Sequence, residues 1–205
     1  MLTLYGAKGS GSAAIEAALT IAGVPFRSVK AATWEPGPGL EELKRVNPLA
    51  QIPTLVLDDR TVMSESAAIL IWLGLQHPKS GLLPAKPAQE IRGLVFIAAN
   101  CYGAIGIIDY PERFCADCDK ATAERIKAGA IARLHQYWDM FADQFGALLQ
   151  PEQPGALDLL AATVSRWSGG RAHLKEHRPA LHAALERIEA HPRVAGIFER
   201  HWPKK

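Results

Sequence analysis

Hydrophobic and polar positions follow two different patterns along this 205-residue chain. In the first third, short β-prone runs bounded by glycine, proline or aspartate occupy residues 2–5, 26–29, 54–57 and 61–63. Apolar residues at helical spacing fill an alanine-rich segment that closes at Gly23, residues 40–46, and residues 65 to about 77. The resulting order of strand, helix, strand, helix, strand, strand and helix predicts an α/β layered unit of modest size.

The second half of the sequence has helical patterns alone. Apolar residues recur at helical spacing in five segments: residues 91–108, 126–148, 155–167, 179–190 and 193–201. The first two segments predict long helices, and the third is so apolar that it predicts a helix buried inside an α bundle. Pro192 stands at a favourable starting position for the last helix.

Prolines and glycines separate the two halves. They crowd residues 77–87, which predicts an interdomain linker. The predicted organisation is an α/β domain over residues 1–77, a linker over 78–87 and an all-helical domain over 88–205.

Composition and charge exclude several classes of protein. With 48% hydrophobic and 21% charged residues, the chain reads as globular. A net charge of +2 with dispersed lysines and arginines gives no nucleic-acid footprint. We expect no membrane role, because no apolar run reaches the ~20 residues of a spanning helix and the N-terminus lacks a signal-peptide layout. Three cysteines form no disulfide scaffold, which favours the cytoplasm.

The candidate chemistry concentrates in residues 47–66. Pro53 precedes an apolar run, where it marks a special bend and a possible cis peptide bond that would show the backbone of Ile52 to solvent. Glu65 and Ser66 stand at a predicted helix start, where free N–H groups and the helix dipole favour an anionic ligand group. Read without context, the pair is more often a helix cap, but with Gln51-Ile52-Pro53 just upstream we expect it to bind a ligand.

The motifs Gln51-Ile52-Pro53-Thr54-Leu55 and Ser64-Glu65-Ser66-Ala67-Ala68-Ile69, followed by a proline-rich linker and a helical half, carry a family resemblance. At this spacing the chain resembles the cytosolic, bacterial-type glutathione transferases over essentially its whole length. The resemblance implies a thioredoxin-like N-terminal domain and an all-α C-terminal bundle. Asp158 also looks like the aspartate of the family's buried capping motif, although Gly155 stands where the family usually has Ser or Thr.

The resemblance also implies a glutathione site. Glu65 would pair with the γ-glutamyl amine, and Ser66 would offer its hydroxyl and N–H to the carboxylate. Ile52, before a cis Pro53, would bind the cysteinyl unit like an added strand, and Gln51 would contact the γ-glutamyl end. For the glycyl carboxylate, the nearby candidates are Trp34, Lys44 and Arg45, and the sequence does not choose among them.

The group that stabilises the glutathione thiolate is harder to assign. The candidates are Ser10 and Ser12, which can lie at the first helix N-terminus, and Tyr5, which we expect to be buried in its strand. Gly11 aligns with the cysteine of the cysteine-containing bacterial class, which argues against a mixed-disulfide mechanism. Either serine could equally be a simple N-cap.

The resemblance implies a transferase that adds glutathione, its co-substrate, to a small hydrophobic electrophile. Tyr102 and Tyr110 are candidates for the electrophile pocket, and the helices from Glu65 and Glu90 offer apolar faces for a homodimer. The alternatives are a glutathione-dependent peroxidase or thiol reductase, and a non-catalytic binding or regulatory protein of the same fold.

Other reactive residues suggest no further site. Cys115 and Cys118 fall between two predicted long helices rather than at the first helix, and no second pair completes a zinc site. Cys101 is expected to be a small core residue. His173 and His177 read as a solvated face without an acidic partner, so no metal is predicted.

Overall fold

The structure, a computed structural model, describes residues 1–203. The first half contains β1 (Leu2–Gly6), α1 (Ser12–Ala22), β2 (Phe26–Lys30), α2 (Pro38–Val46), β3 (Thr54–Val56), β4 (Val62–Met63) and α3 (Ser66–Gln76). This is the predicted order of strands and helices. The ends of the elements differ from the predicted ones by one or two residues, and α1 ends before Gly23 as predicted.

The four strands form one sheet in the order β2-β1-β3-β4. β1 pairs with β2 in parallel and with β3 in antiparallel orientation, and β3 pairs with β4 in antiparallel orientation. Successive side chains of a strand point to opposite faces. Leu4 accordingly joins the main core that includes α1 and α3, whereas Tyr5 packs with Leu43 of α2 in a separate small cluster. The sheet is therefore covered by helices on both faces.

The second half is helical, with α4 (Ala88–Phe96), α5 (Gly103–Asp109), α6 (Lys120–Phe145), α7 (Ala156–Val164), α8 (Gly170–His177), α9 (Pro179–Ala190) and α10 (Ala195–His201). The fold is thus the expected thioredoxin-like domain followed by a helical bundle. One buried core runs through both halves. The division into residues 1–77, 78–87 and 88–205 stays a prediction that follows this change of architecture.

Three helical predictions need correction. The helix expected over 91–108 is α4 and α5 joined by a π-helical turn, Ile97–Tyr102. α8 was not predicted, because it carries only two buried residues and therefore shows no strong apolar period. α10 begins at Ala195, so Pro192 lies outside it.

Every residue of α7 is buried, and its start is held by Asp158. The carboxylate accepts the backbone N–H of Gly155 at 3.0 Å and that of Gln150 at 2.7 Å. Gly155 fits because any Cβ there would lie 3.0 Å from the carbonyl oxygen of Leu82. The aspartate half of the family's capping motif is present, and the tight approach of the linker explains the glycine.

One helical segment, Ala88–Asp109, is long and apolar enough to cross a membrane by length and composition. This corrects the expectation that no apolar run reaches that length. The segment packs in the bundle, where a Cβ on Gly93 would press against Leu157 and Phe145. A core helix passes the same test of length and composition, so the segment is weak support for a membrane role.

Candidate active site

The loop before β3 is fixed by two polar side chains. Asn47 is buried, and its amide nitrogen donates to the hydroxyl of Thr54 at 2.9 Å while its oxygen accepts the N–H of Leu49 at 3.1 Å. The Thr54 hydroxyl in turn donates to the carbonyl of Gln51 at 2.7 Å. These bonds hold the loop on both sides of Pro53, which is itself buried.

Ile52 presents an open stretch of backbone in this loop. The Ile52-Pro53 peptide bond is cis in the structure. Within residues 1–203, neither the N–H nor the C=O of Ile52 has a hydrogen-bond partner, and the residue is only half-buried. A free donor and acceptor beside a strand can pair with an extended peptide. The side chain of Gln51 is exposed next to them.

The start of α3 places a charge and a hydroxyl side by side. Glu65 adopts φ 65°, an uncommon value for a residue with a side chain, and its exposed carboxylate makes no capping hydrogen bond. Such backbone outliers persist where the surrounding structure imposes them, often at functional sites. Ser66, the first residue of α3, is buried. The capping interpretation of Glu65 is therefore wrong.

Gly11 lies at the point where the candidate site residues come closest to one another. A Cβ on Gly11 would lie 3.4 Å from the Cδ of Pro53 and 3.4 Å from the hydroxyl oxygen of Ser66. It would also overlap the hydroxyl oxygen of Tyr102. The structure thus brings Pro53 and Ser66 together with a tyrosine from the helical half.

The two candidate serines are placed differently. The hydroxyls of Ser10 and Ser12 are buried and lie 2.9 Å apart, and the N–H of Ala7 donates to both, at 3.3 and 3.2 Å. The Ser10 hydroxyl also donates to the Ala7 carbonyl at 2.7 Å. Both hydroxyls serve the turn at Ala7, while Gly11 between them faces Pro53. The Ser10 hydroxyl also accepts the N–H of Ser12, the first residue of α1, at 3.3 Å, so Ser10 caps the helix, and a catalytic serine stays a prediction.

Tyr5 is buried in its strand, as expected. Its hydroxyl donates to the carboxylate of Glu42 on α2 at 2.7 Å. Burial, followed by this carboxylate, raises the pKa of Tyr5 to about 12. The bond to α2 holds its hydroxyl on the opposite face of the sheet from α1.

The helical half clamps the loop before α1 at Gly9. The indole N–H of Trp167 donates to the Gly9 carbonyl at 3.2 Å, and the Gly9 N–H donates to Nδ1 of His201 at 3.2 Å. Nε2 of His201 lies 3.0 Å from the carboxylate of Glu16. Gly9 has φ 74°, which favours glycine. The site is therefore closed by contacts between the two halves.

The two tyrosines predicted for the electrophile pocket have different surroundings. Tyr102 ends the π-helical turn, and the ring of Trp167 packs edge-on against it, with 5.6 Å between centroids. Burial raises the pKa of Tyr102 to about 12. Tyr110 follows α5 and is 42% exposed, with the guanidinium of Arg113 3.8 Å from the centre of its ring. Only Tyr102 meets the cluster at Gly11.

The candidates for the glycyl carboxylate lie on or before α2. Trp34 is 62% exposed, and Arg45 is exposed on the last turn of the helix. Lys44 is paired with Glu41 at 2.8 Å on the surface. The assignment among the three stays a prediction.

The remaining reactive side chains lie outside the site. Cys101 is fully buried, which raises the pKa of its thiol to about 12, and Cys115 and Cys118 are free thiols. Among the residues described, no group of three or more His, Cys, Asp or Glu side chains is arranged for a metal. The prediction that His173 is solvated and has no acidic partner is wrong, because its side chain is largely buried and lies 3.1 Å from the carboxylate of Asp139.

Sequence reasoning missed the roles of Gly9, Trp167 and His201 in positioning the site. The hydrogen bonds of Gly9 span 158 and 192 residues of sequence, so no local pattern announces them. Gly11 was noticed as a departure from the family, but its contact with Tyr102 depends on the packing of the helical half.

Comparison with known proteins agrees with this geometry. Residues 12–76 match the glutathione S-transferase N-terminal domain. Over 98% of both chains, the protein is 27% identical to an uncharacterized GST-like protein, YncG, of Escherichia coli K12.

Two solved structures share the fold over nearly the whole chain. A glutathione transferase homologue from Sulfitobacter, with bound glutathione, has a TM-score of 0.82 at 23% identity and covers 96% of each chain. A glutathione transferase from Methylococcus capsulatus has a TM-score of 0.75 at 26% identity over 98% of each chain. Residues 12–76 thus match the glutathione S-transferase N-terminal domain, and over nearly its whole length the chain is similar in sequence to a GST-like protein and in fold to glutathione transferases.

Proposed function

We propose that this protein binds glutathione and adds its thiolate to a small hydrophobic electrophile. The observation that carries the proposal is the meeting of Pro53, Ser66 and Gly11 at one point beside the unpaired backbone of Ile52. The Sulfitobacter homologue, which has the same fold, holds glutathione.

The γ-glutamyl and cysteinyl units of the tripeptide each find groups of matching chemistry. The exposed carboxylate of Glu65 pairs with the γ-glutamyl amine, and the hydroxyl and N–H of Ser66 receive the γ-glutamyl carboxylate at the positive end of α3. The N–H and C=O of Ile52 pair with the cysteinyl unit as an added strand, and Gln51 contacts the γ-glutamyl end. Glutathione is then held with its sulfur near Gly11.

The chemistry is positioning and anion stabilisation. The free thiol, with a pKa near ~8.5, is mostly protonated at neutral pH. A site that lowers this pKa raises the share of thiolate, and a neighbouring apolar pocket brings the electrophile to it. The packed rings of Tyr102 and Trp167 are the proposed walls of this pocket. The reducing cytoplasm, where glutathione and three free thiols stay reduced, is the proposed location.

A titration tests the proposal. Glutathione binding to the full chain is measured by calorimetry, and the thiolate ultraviolet absorbance of the complex is then followed against pH. Binding with a lowered thiol pKa, and turnover of an electron-poor aryl chloride, support the transferase. Binding with an unchanged thiol pKa would favour the non-catalytic alternative. Turnover of a hydroperoxide alone would favour the peroxidase, and Gly11 offers no thiol for a mixed disulfide.

A further inference from the structure

The identity of residue 11 has a specific structural cause. Gly11 has φ −59° and ψ −15°, ordinary helical values that any residue adopts. Its backbone therefore does not require glycine. A Cβ there would overlap the hydroxyl oxygen of Tyr102, so that hydroxyl keeps its present position only because residue 11 has no side chain. Glycine serves here to allow a close approach.

The hydroxyl of Tyr102 lies in the middle of the proposed glutathione site. It lies beside Ser66 and, across Gly11, faces Pro53, so it stands between the groups proposed to hold the γ-glutamyl and cysteinyl units. Within residues 1–203, the Tyr102 hydroxyl has one hydrogen-bond contact, the long 3.5 Å approach to Ser66. Its donor capacity is therefore nearly unused.

From these contacts, and resting on the proposed binding of glutathione, we propose that Tyr102 is the catalytic residue that donates a hydrogen bond to the glutathione thiolate. The group would reach the sulfur from the helical half of the protein rather than from the first strand or helix. The absence of a side chain at Gly11 would allow the Tyr102 hydroxyl to reach the sulfur.

The chemistry of a phenol suits this role. Burial keeps the pKa of Tyr102 at about 12, so the phenol stays protonated and can donate throughout the neutral range. The thiol proton leaves to solvent when glutathione binds, and the resulting thiolate accepts the hydrogen bond from Tyr102. With an aryl chloride, the sulfur forms a bond to the ring carbon and chloride leaves with the electron pair of the broken C–Cl bond. Tyr102 keeps its own proton throughout.

Neighbouring groups hold the tyrosine in place. The ring of Trp167 packs against it, and the indole is itself fixed on the Gly9 carbonyl. The π-helical turn that ends at Tyr102 is supported by Asn100, whose amide nitrogen donates to the carbonyl of Phe96 at 3.0 Å. Such turns are frequent at functional sites. The hydroxyl is thus fixed before glutathione arrives, as electrostatic stabilisation requires.

The first test compares Tyr102→Phe with wild type and with Tyr137→Phe. Tyr137 is a partly buried tyrosine of the same half whose ring packs edge-on against Phe96. We expect Tyr102→Phe to move the thiol pKa of bound glutathione back towards ~8.5 and to lower turnover about 10- to 100-fold at neutral pH. The calorimetric Kd should change less than about threefold, because the removed bond goes mainly to the thiolate. Tyr137→Phe should match wild type in both.

The second test places a methyl group at the same point. Gly11→Ala keeps the backbone unstrained, so the chain should fold, but the methyl displaces the Tyr102 hydroxyl. It should raise the thiol pKa as Tyr102→Phe does, and the double variant should lose nothing further, because both changes remove one interaction. Gly129→Ala, where a Cβ meets nothing within 4 Å, is the matched control.

The outcomes separate this inference from the proposed function. If Tyr102→Phe lowers the thiol pKa of bound glutathione as much as wild type does, the role of Tyr102 is overturned and the proposed transferase activity is unaffected. Effects of Gly11→Ala and Tyr102→Phe that multiply in the double variant also overturn it. A wild type that binds no glutathione overturns both.

Discussion

The hydroxyl oxygen of Ser66 lies 3.5 Å from that of Tyr102. Ser66 opens α3 in the thioredoxin-like half, and Tyr102 closes the π-helical turn in the helical half. The proposed site is therefore assembled from both halves, and neither half alone contains it. Ser66, which is proposed to bind glutathione, and Tyr102, which is proposed to contact its sulfur, can then be substituted separately, so their effects on binding and on turnover can be told apart.

Ser66→Ala removes the hydroxyl proposed to hold the γ-glutamyl carboxylate. A hydrogen bond to a charged group contributes about 1.5–3 kcal/mol, so the Kd for glutathione should rise roughly 10- to 100-fold. The measurement is calorimetry at fixed pH, with Ser64→Ala as the neighbouring serine control. Equal affinities of Ser66→Ala and wild type would remove Ser66 from the site.

Glu65→Gln keeps the shape of the side chain and removes its charge. Because the carboxylate caps nothing in the helix, stability should stay within ~0.5 kcal/mol of wild type. Affinity for glutathione should fall about tenfold, through loss of the pair with the amine. An analogue of glutathione without that amine should bind wild type and Glu65→Gln equally. If the analogue distinguishes the two proteins, Glu65 acts on some other part of the ligand.

Trp167→Phe keeps an aromatic ring against Tyr102 and removes the hydrogen bond to Gly9. The loss should cost about 1 kcal/mol locally and loosen the loop before α1. Hydrogen exchange of the amides of residues 7–12 should become faster, while exchange in α9 should not change. Trp34→Phe, which alters an exposed indole, is the control. Unchanged exchange in the loop would mean that its other hydrogen bonds hold it without Trp167.

Local patterns in the sequence predicted most of the elements and half of the candidate site. α9 has the predicted bounds of 179–190 because its apolar residues keep a helical period and Pro179 marks its start. Pro53, Glu65 and Ser66 were predicted because proline and helix-start chemistry are local properties that a motif records. Tyr5 was expected in the core, and it is 3% exposed.

The remaining half of the site depends on contacts that no local pattern contains. Ser10 and Ser12 resemble ligand groups in sequence, yet their hydroxyls turn to Ala7 because the tight loop after β1 needs partners for its backbone. The approach of Tyr102 to Gly11 requires the two halves to dock first. Sequence could name Gly11 as unusual, but only packing gives the reason.

The expected homodimer has a direct test on two exposed side chains. Leu75 on α3 is 59% exposed and Val95 on α4 is 49% exposed, and exposed apolar side chains on adjacent helices favour association about a two-fold axis. Wild type should elute as a dimer in light-scattering chromatography, and Leu75→Lys should shift it towards monomer. Met140→Lys, at a 41% exposed residue of α6, should not. A monomeric wild type would contradict the dimer.

Asp158 should give the stability of this protein a measurable pH dependence. Burial, opposed by the two backbone N–H groups, raises its pKa to about 6, above the ~3.9 of an unfolded chain. The folded state thus binds this proton more tightly than the unfolded state does. Its contribution to stability is fully present below about pH 4 and is lost as the pH rises through about 6, by about 3 kcal/mol in total.

Asp158→Asn isolates this effect, because the amide keeps one acceptor and cannot ionise. The free energy of unfolding of both proteins is measured with urea from pH 4 to pH 7.5. Relative to wild type, the variant should be least stable at pH 4, and the difference should shift in its favour as the pH rises. The lowered pKa of His135, caused mainly by burial, makes stability fall as the pH falls, but it is common to both proteins and cancels in the difference. A difference between the two proteins that does not vary with pH would show that Asp158 stays ionised in the fold.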